Sequence, residues 1–329
     1  MTDRSLRTLD RSPALTPLLA RGAFASPFKK AALNRPRPVP TAPDPTAPDA
    51  ALLGTRLVLP GVRIDLARLA AYERVCGFPV GDDALPLTYP HVLGFPLAML
   101  LMTERDFPLP LLGLVHTSVE IVRRRPLAAT GTYELTVYVD ELTPHRRGTE
   151  ASVRTEVREG ESTGEVEGRG EVEGEGAGAE PVWESRSTYL ARHPVPHRAE
   201  APTAGTRGAR GPGDEPEALP LVTRWRLGED IGRRYAATSG DRNPIHLHAL
   251  TARLFGFRRA IAHGMWTAAR CLAAHGTPES ALVRTDFRAP VLLPGTVEYG
   301  ADGYGNFELR GGGRVHLRGE VRSAPRRGP

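Results

Sequence analysis

The chain has 329 residues, of which 40% are hydrophobic, so it can bury the cores of two domains of ordinary size. Its formal net charge is +5, from 43 Lys and Arg residues against 38 Asp and Glu residues. The basic excess lies largely near the two ends, without the interleaved aromatic residues of a nucleic-acid surface, which argues against a nucleic-acid partner. The two cysteines, Cys76 and Cys271, fit no metal spacing and predict reduced, buried thiols.

No apolar run approaches the roughly 18 residues that a membrane-spanning helix needs, so we expect no membrane span. The first residues lack the layout of a secretory signal, and we therefore expect a cytoplasmic protein. No Gly-x-Gly-x-x-Gly run opens a βαβ unit, and no His, Cys and Asp residues stand at metal-ligand spacing. We accordingly expect neither a nicotinamide cofactor nor a metal ion.

Three stretches of biased composition divide the chain. Residues 1–50 are rich in Pro and Arg and predict a disordered extension, with one short helix near Pro13–Ala23. Residues 158–180 are mostly Glu and Gly and predict an acidic loop at the tip of a long hairpin. Residues 196–218 are rich in Pro, Gly and charge and predict a linker. The two candidate domains that remain are residues 51–195 and residues 219–323.

The two candidate domains repeat a sequence pattern. PLAATGTYEL from Pro126 matches PVLLPGTVEY from Pro290, at an offset of 290 − 126 = 164. LAMLLMT precedes IAHGMWT by the same offset, and YERVCGF precedes YAATSGD by 163. Three matches in the same order indicate that the two domains are diverged copies of one fold.

Each copy predicts a short helix, a longer apolar helix and several strands of alternating polarity. In the first copy these are helices Leu66–Val75 and Pro96–Thr103, then strands Leu114–Val122, Tyr133–Glu141, Ala151–Val157 and Trp183–Leu190. In the second copy they are helices Asp230–Ser239 and Gly264–His275, then strands Leu282–Arg288 and Thr296–Tyr299. A helix against an antiparallel sheet in each copy makes the predicted fold class α+β.

The most informative stretch is YAATSGDRNPIHLHALTARLFGFRRAIAHGMWTAARCL, which starts at residue 235. It holds Asp241 and His246 five residues apart. A carboxylate and an imidazole that share one water can work on it together, because one group takes a proton while the other gives one. Gly240 permits a backbone conformation closed to other residues. Pro244 stiffens the connecting turn, and Asn243 carries an amide that can hold it.

Gly264 follows at the predicted start of the second long helix. Backbone N–H groups there have no intrahelical acceptor and the helix dipole is positive, so they can stabilise negative charge that develops on a substrate oxygen. His263 is predicted to have a structural role at the helix start. Taken singly, Asp241 is also compatible with a turn residue and His246 with a surface histidine, and only their joint pattern favours catalysis.

Gly-Asp-Arg-Asn-Pro-Ile-His, from Gly240, followed by His-Gly-Met, from His263, resembles the MaoC-like family of (R)-specific enoyl-CoA hydratases and 3-hydroxyacyl-thioester dehydratases. The resemblance implies a double hotdog, in which each half is an antiparallel sheet wrapped around a long helix. It implies a hydro-lyase that interconverts trans-2-enoyl and (R)-3-hydroxyacyl thioesters of coenzyme A or an acyl carrier protein by syn addition of water. The residues it assigns are Asp241 and His246 to catalysis, Gly264 to thioester binding, and Gly240, Asn243, Pro244 and His263 to support.

The first copy lacks this motif. By the repeat register, the opposed pairs are Phe78 with Asp241, Val80 with Asn243, Asp83 with His246, and Met99–Leu100 with His263–Gly264. We therefore expect a degenerate hotdog that keeps the fold without the chemistry. Its apolar segment from Thr88 is compatible with an acyl channel and equally with a core helix. His91 and His116 have no carboxylate at the family spacing and are not assigned to catalysis.

Two other functions remain open on the same sequence. A hotdog thioesterase would share the fold and the substrate class, but such enzymes usually carry an acidic residue on the long helix, and Met265–His275 contains none. A non-catalytic hotdog subunit of a dehydratase complex is the second alternative, against which the complete motif argues. Acyl length, the choice between coenzyme A and carrier protein, the physiological direction and the formation of a homodimer stay undetermined.

Overall fold

The computed structural model describes residues 5–33, 55–160, 180–195 and 217–324. The strands are β1 Leu6–Thr8, β2 Arg56–Arg63, β3 Leu114–Arg123, β4 Thr132–His145, β5 Gly148–Glu159, β6 Trp183–Arg192, β7 Leu221–Leu227, β8 Ala281–Phe287, β9 Gly295–Ala301, β10 Asn306–Gly311 and β11 Arg314–Ser323. The helices are α1 Leu15–Leu33, α2 Leu66–Cys76, α3 Tyr89–Thr103, α4 Ile231–Ser239, α5 Pro244–Leu247, α6 Ala249–Arg253 and α7 Gly264–His275.

Within these ranges the strands form one sheet in the order β1-β2-β4-β5-β6-β3-β8-β11-β10-β9-β7. The short edge strand β1 has no counterpart among the described strands of the second half. When the first half is numbered from β2 and the second from β7, the order reads 1-3-4-5-2 and then 2-5-4-3-1, so the halves are related by a pseudo-two-fold axis at the β3–β8 junction. The long helix α3 packs on β4 and β5, and α7 packs on β10 and β11. This is the α+β double hotdog that the sequence predicts.

The β3–β8 junction fixes the position of the pseudo-two-fold axis. Glu120 lies directly opposite Arg284 in an antiparallel register. Since 284 − 120 = 164, which is the offset of the sequence repeat, these two residues are equivalent and the axis passes between them. Arg284 Nε donates to Glu120 Oε2 at 2.6 Å on the exposed face. Ile121 and Val283, which oppose each other one position further, are completely buried.

The junction is expected to depend on its buried face. Ile121→Ala should lower the free energy of unfolding by about 2–5 kcal/mol, because it leaves a cavity at the centre of the sheet. Glu120→Ala should lower it by less than about 1 kcal/mol, because the ion pair is exposed. Urea denaturation measures both variants, and a larger loss for Glu120→Ala than for Ile121→Ala would contradict this account.

Residues 5–33 form β1 and α1, which corrects the prediction of disorder for this part of residues 1–50. The buried residues Leu18, Gly22 and Ser26 recur every fourth position and so share one face of α1. A Cβ on Gly22 would lie 2.3 Å from Leu111 Cδ2 and 2.9 Å from Thr103 Cγ2, so glycine allows a close approach to the end of α3. The average composition of residues 1–50 conceals this buried face, because the many Pro and Arg residues of the segment dominate the average.

Parts of three predicted segments lie outside the described residues. These are residues 1–4 and 34–50 of the extension, 161–179 of the acidic loop and 196–216 of the linker. In the part of the chain that the structure describes, no helix is long and apolar enough to cross a membrane.

The structure corrects the repeat register at the long helices. Leu85 N–H donates to Leu127 O in the first half, and Ala262 N–H donates to Val291 O in the second half. The acceptors differ by 291 − 127 = 164, but the donors differ by 262 − 85 = 177. Gly77 of the first half is equivalent to Gly240 of the second, at an offset of 163. The second half therefore contains 177 − 163 = 14 additional residues between Gly240 and its long helix. The insertion includes α5 and α6.

The insertion changes which residues are equivalent. Gly264 stands opposite Leu87, and the predicted pairing with Met99–Leu100 is wrong. His246 lies within the additional residues and has no counterpart, so its predicted pairing with Asp83 is also wrong. Both long helices are apolar, and apolar residues can be matched at more than one offset, which is why the sequence alone gives the wrong register here.

Candidate active site

The Asp241 turn leaves the end of α4 in a conformation fixed by its own backbone. Gly240 ends the helix at φ +82°, in the left-handed region that favours glycine. Asp241 Oδ1 accepts from Asn243 N–H at 3.2 Å, and Asn243 Oδ1 accepts from Ile245 N–H at 3.4 Å. Pro244 then begins α5. Two successive side-chain-to-backbone bonds therefore hold the turn that carries Asp241.

His246 lies on α5 and is 8% exposed. Its Nδ1–H donates to Ile261 O at 2.8 Å, because a carbonyl can only accept, and the lone pair is then on Nε2. Burial lowers the pKa of His246 below its usual value, while the negative charge of Asp241 partly offsets this effect. His246 is therefore neutral at pH 7 and has one basic nitrogen available.

His263 joins the start of α7 to the Asp241 turn. Its Nε2–H donates to Asp241 O at 2.9 Å, and its ring stacks on His246 with centroids 3.7 Å apart. Burial, reinforced by His246, lowers the pKa of His263 well below its usual value. The buried Nδ1 of His263 has no hydrogen-bond partner within the described residues. A neutral imidazole thus fixes the distance between the turn and the helix start.

Gly264 is the first residue of α7 and directly follows His263. The first N–H groups of a helix have no intrahelical acceptor, and the helix dipole makes this end positive. A Cβ on Gly264 would lie 3.3 Å from the ring of Phe287 on β8, so this position has little room for a side chain. The helix start therefore offers backbone donors beside Asp241 and His246.

The structure brings the predicted catalytic residues together. Asp241, His246 and His263 each offer one potential ligand atom, and these atoms lie within 4.8 Å of one another. This spacing could accommodate a divalent cation. It also lets two of the groups bind one water, because two hydrogen bonds of about 2.8 Å can span up to about 5.6 Å. The supporting residues that the sequence singles out lie beside them: Gly240, Asn243 and Pro244 in the Asp241 turn, and His263 directly before α7.

Residues of the first half face the same site, and the motif gives no sign of them. Burial raises the pKa of Tyr189 in β6, and the charge of Asp241 adds to this effect. The same charge opposes the effect of burial on the pKa of His91 in α3. His116 in β3 contacts Phe287, with ring centroids 4.8 Å apart. The β3–β8 pairing brings these residues to the site, and motif spacing within one half cannot reveal such a pairing.

Gly232 is a further residue that sequence reasoning missed. A Cβ at this position on α4 would lie 1.9 Å from His246 O, which belongs to the backbone of α5. Glycine is therefore required for α5 to approach α4 and for His246 to reach Asp241. A lone glycine inside a helix carries no sequence signal of such a contact.

The fold and this constellation define a double-hotdog protein with an Asp–His pair at the start of its second long helix. Residues 209–308 match the family model of the MaoC-like domain. Over 249 residues, the chain is 35% identical to 3-hydroxyacyl-thioester dehydratase X of Mycobacterium tuberculosis. The aligned region covers 75% of this chain and 80% of that protein.

Solved structures agree with this match. The crystal structure of HtdX of Mycobacterium tuberculosis has a TM-score of 0.64 at 33% identity, over 82% of this chain and 100% of that chain. A MaoC-like dehydratase from Phytophthora capsici shares the fold with a TM-score of 0.61 at 17% identity, over 82% of this chain and 95% of that chain. The chain therefore belongs to the MaoC-like dehydratase family.

Gly232→Ala should displace α5 and with it His246, because the added Cβ meets backbone that cannot rotate away. We expect a lower melting temperature and a changed NMR environment for the His246 ring. Gly228→Ala is the matched control, since its Cβ would meet mainly the Asp230 side chain, which can move. Equal effects of the two substitutions would contradict the close approach of α4 and α5.

The His246 ring should titrate below its usual value of 6.5 in an NMR titration. Because the folded protein binds this proton less readily than the unfolded chain, the stability contributed by the neutral ring is complete above about pH 6.5 and declines as the pH falls. Asp241→Asn should lower the pKa of His246 further, since it removes the charge that raises it. An unchanged or raised midpoint in Asp241→Asn would contradict the proximity of the two side chains.

Proposed function

We propose that this chain is a hydro-lyase that interconverts trans-2-enoyl and (R)-3-hydroxyacyl thioesters by syn addition and elimination of water. The observation that carries the proposal is the neutral His246 ring. Its Nδ1–H is bonded to Ile261 O, and its remaining nitrogen is available beside the Asp241 carboxylate. The relationship to a protein named 3-hydroxyacyl-thioester dehydratase X supports the same reaction class.

In the proposed hydration, one water lies between Asp241 and His246. The water oxygen bonds to the β-carbon while the neutral imidazole of His246 takes a proton from it. The imidazolium then returns a proton to the α-carbon on the same face, so that H and OH are added together and the enzyme is regenerated. Asp241 orients the water and stabilises the imidazolium while the proton is held there.

Negative charge develops on the thioester oxygen as the β-carbon is attacked. We assign its stabilisation to the N–H groups at the start of α7, of which Gly264 carries the first. Losing one prearranged donor of this kind typically costs about 3 kcal/mol of transition-state stabilisation. His263 and Asn243 act as positioning residues. The His263 bond holds the Asp241 turn against the start of α7, and the Asn243 bond to Ile245 N–H holds the turn itself. Gly240 and Pro244 shape the same turn.

We further propose that residues 219–323 form the catalytic half and residues 51–195 a half that has kept the fold without this chemistry. The first half has no counterpart of His246, since the 14-residue insertion that carries it is specific to the second half. A thioesterase is less compatible with the site, because α7 lacks an acidic residue after its start. A non-catalytic subunit has no need of the neutral imidazole beside a carboxylate.

Crotonyl-CoA is the substrate for the first test, with loss of the enoyl absorbance followed over time. Asp241→Asn and His246→Gln should each lower kcat by about a hundredfold or more, and the double variant should lose little beyond the worse single one, because the pair acts as a unit. His248→Ala, at an exposed histidine two positions away, is the control and should keep near wild-type activity. Near-full activity of either site variant would overturn the role assigned to that residue.

The thioester carrier, the cell compartment and the oligomeric state complete the proposal. Coenzyme A and acyl carrier protein are both compatible with the site, and matched crotonyl thioesters of the two distinguish them by kcat/KM. We propose a cytoplasmic enzyme that forms a homodimer. Light scattering on the purified full chain gives the mass, and a monomer over the assayed concentration range would refute the dimer.

A further inference from the structure

The side of the site formed by the first half contains polar atoms that the proposed reaction does not use. His91 Nδ1, His116 Nε2 and Thr285 Oγ1 are all buried and have no hydrogen-bond partner within the described residues. The rings of His91 and His116 are stacked, with centroids 6.1 Å apart. Buried polar side-chain atoms normally have partners, so three in one region indicate a group that the protein alone does not supply.

These atoms lie in a continuous layer that begins at Gly264. Phe287 touches the Gly264 position, and His116 contacts both Phe287, at 4.8 Å, and Tyr189, at 4.6 Å, between ring centroids. Thr285 is two residues before Phe287 on β8 and therefore points to the same face of the sheet. The layer thus runs from Gly264 to the inner face of the β3–β8 junction, and we place the acyl chain beyond the β-carbon along this layer.

The layer is also partly open to solvent. His116, Tyr189 and Phe287 are only partly buried, although β3, β6 and β8 are central strands of the sheet and His116 is covered by His91 of α3. An unbranched alkyl chain lying against this layer would leave its polar atoms unsatisfied, which disfavours that chain relative to one that can hydrogen-bond. A hydroxyl group donates and accepts at once, so it matches either tautomer of a neutral imidazole.

We infer that His91, His116 and Thr285 form a polar acyl subsite, which selects enoyl and 3-hydroxyacyl thioesters that carry a hydroxyl group on the chain beyond the β-carbon. The inference rests on the proposed function, since it assigns a substrate class to the same site. His91 and His116 are specificity-determining residues in it and take no part in the proton transfers. Burial lowers the pKa of His91 to about 4, and lowers that of His116 further, so both rings are neutral when they meet the hydroxyl group.

Binding of saturated thioesters tests the subsite without requiring turnover. Calorimetry compares hexanoyl-CoA with 4-, 5- and 6-hydroxyhexanoyl-CoA on the purified full chain. For the wild-type protein, the tightest of the three hydroxylated ligands should bind about tenfold more tightly than hexanoyl-CoA, as expected for one buried hydrogen bond. Hydration of crotonyl-CoA, whose chain ends one carbon beyond the β-carbon, is measured in parallel and reports on the proposed reaction separately.

Leu and amide substitutions at His91 and His116 test whether these two side chains cause the preference for hydroxylated ligands. His91→Leu and His116→Leu should each reduce the preference to within about twofold. His91→Asn and His116→Gln should keep it, because an amide retains a polar atom near the Nδ1 or Nε2 position. His145→Leu, on the distant β4–β5 hairpin, makes the same change away from the layer and should keep the full preference. Melting temperatures identify any variant that fails to fold. If a Leu variant does not fold, the ligand preference is compared between the wild-type protein and the amide variants.

Equal binding of hexanoyl-CoA and all three hydroxylated ligands by the wild-type protein would overturn the inference. A tenfold preference that survives in both Leu variants would overturn it as well, by assigning the preference to other groups. Loss of the preference in the Leu variants and its retention in the amide and His145→Leu variants would support it. If the variants show this pattern but crotonyl-CoA is not hydrated, the proposed hydration reaction is refuted while the polar subsite is still supported.

Discussion

The antiparallel pairing of β3 with β8 is the constraint on which the rest of the structure depends. It joins two half-sheets into one, and the pseudo-two-fold axis between Glu120 and Arg284 determines where every other element lies. It also brings Phe287 of the second half against His116 of the first, directly beside Gly264. A site built largely from one half consequently has a wall from the other, and an isolated half would have neither a covered strand edge nor a complete site.

The halves diverged by an insertion as well as by substitution. Both short helices end in a glycine with a left-handed backbone, Gly77 at φ +81° and Gly240 at φ +82°. In the second half, the chain then forms the Asp241 turn and α5 before it enters the long helix, which gives His246 its position. The first half lacks the 14 additional residues of this insertion, so point substitutions at Phe78 and Asp83 would not place a carboxylate and an imidazole as in the second half. The absence of a counterpart of His246 from that half is therefore a property of its backbone.

The sequence predicts the features that depend on local order and misses those that depend on pairing. Asp241, Asn243 and His246 could be found because one short turn holds them, with bonds between residues two positions apart. Six of the eleven described strands, β3 to β6, β8 and β9, could be found from their alternating polarity. Gly232 could not, since its contact with His246 O joins two helices. The polar wall at His91 and His116 could not either, because two histidines 25 positions apart meet only when α3 packs over β3.

The central claim is that two copies of one fold share a single functional site in each chain. Native mass spectrometry or calorimetric titration of the full chain with a tight, non-reactive 3-hydroxyacyl thioester analogue measures the number of sites directly. The account predicts one bound analogue for each chain, and none for a chain that carries a bulky Gly264→Trp substitution but remains folded. Two equivalent sites for each chain would contradict it, because the first half would then bind the thioester without the insertion that carries His246.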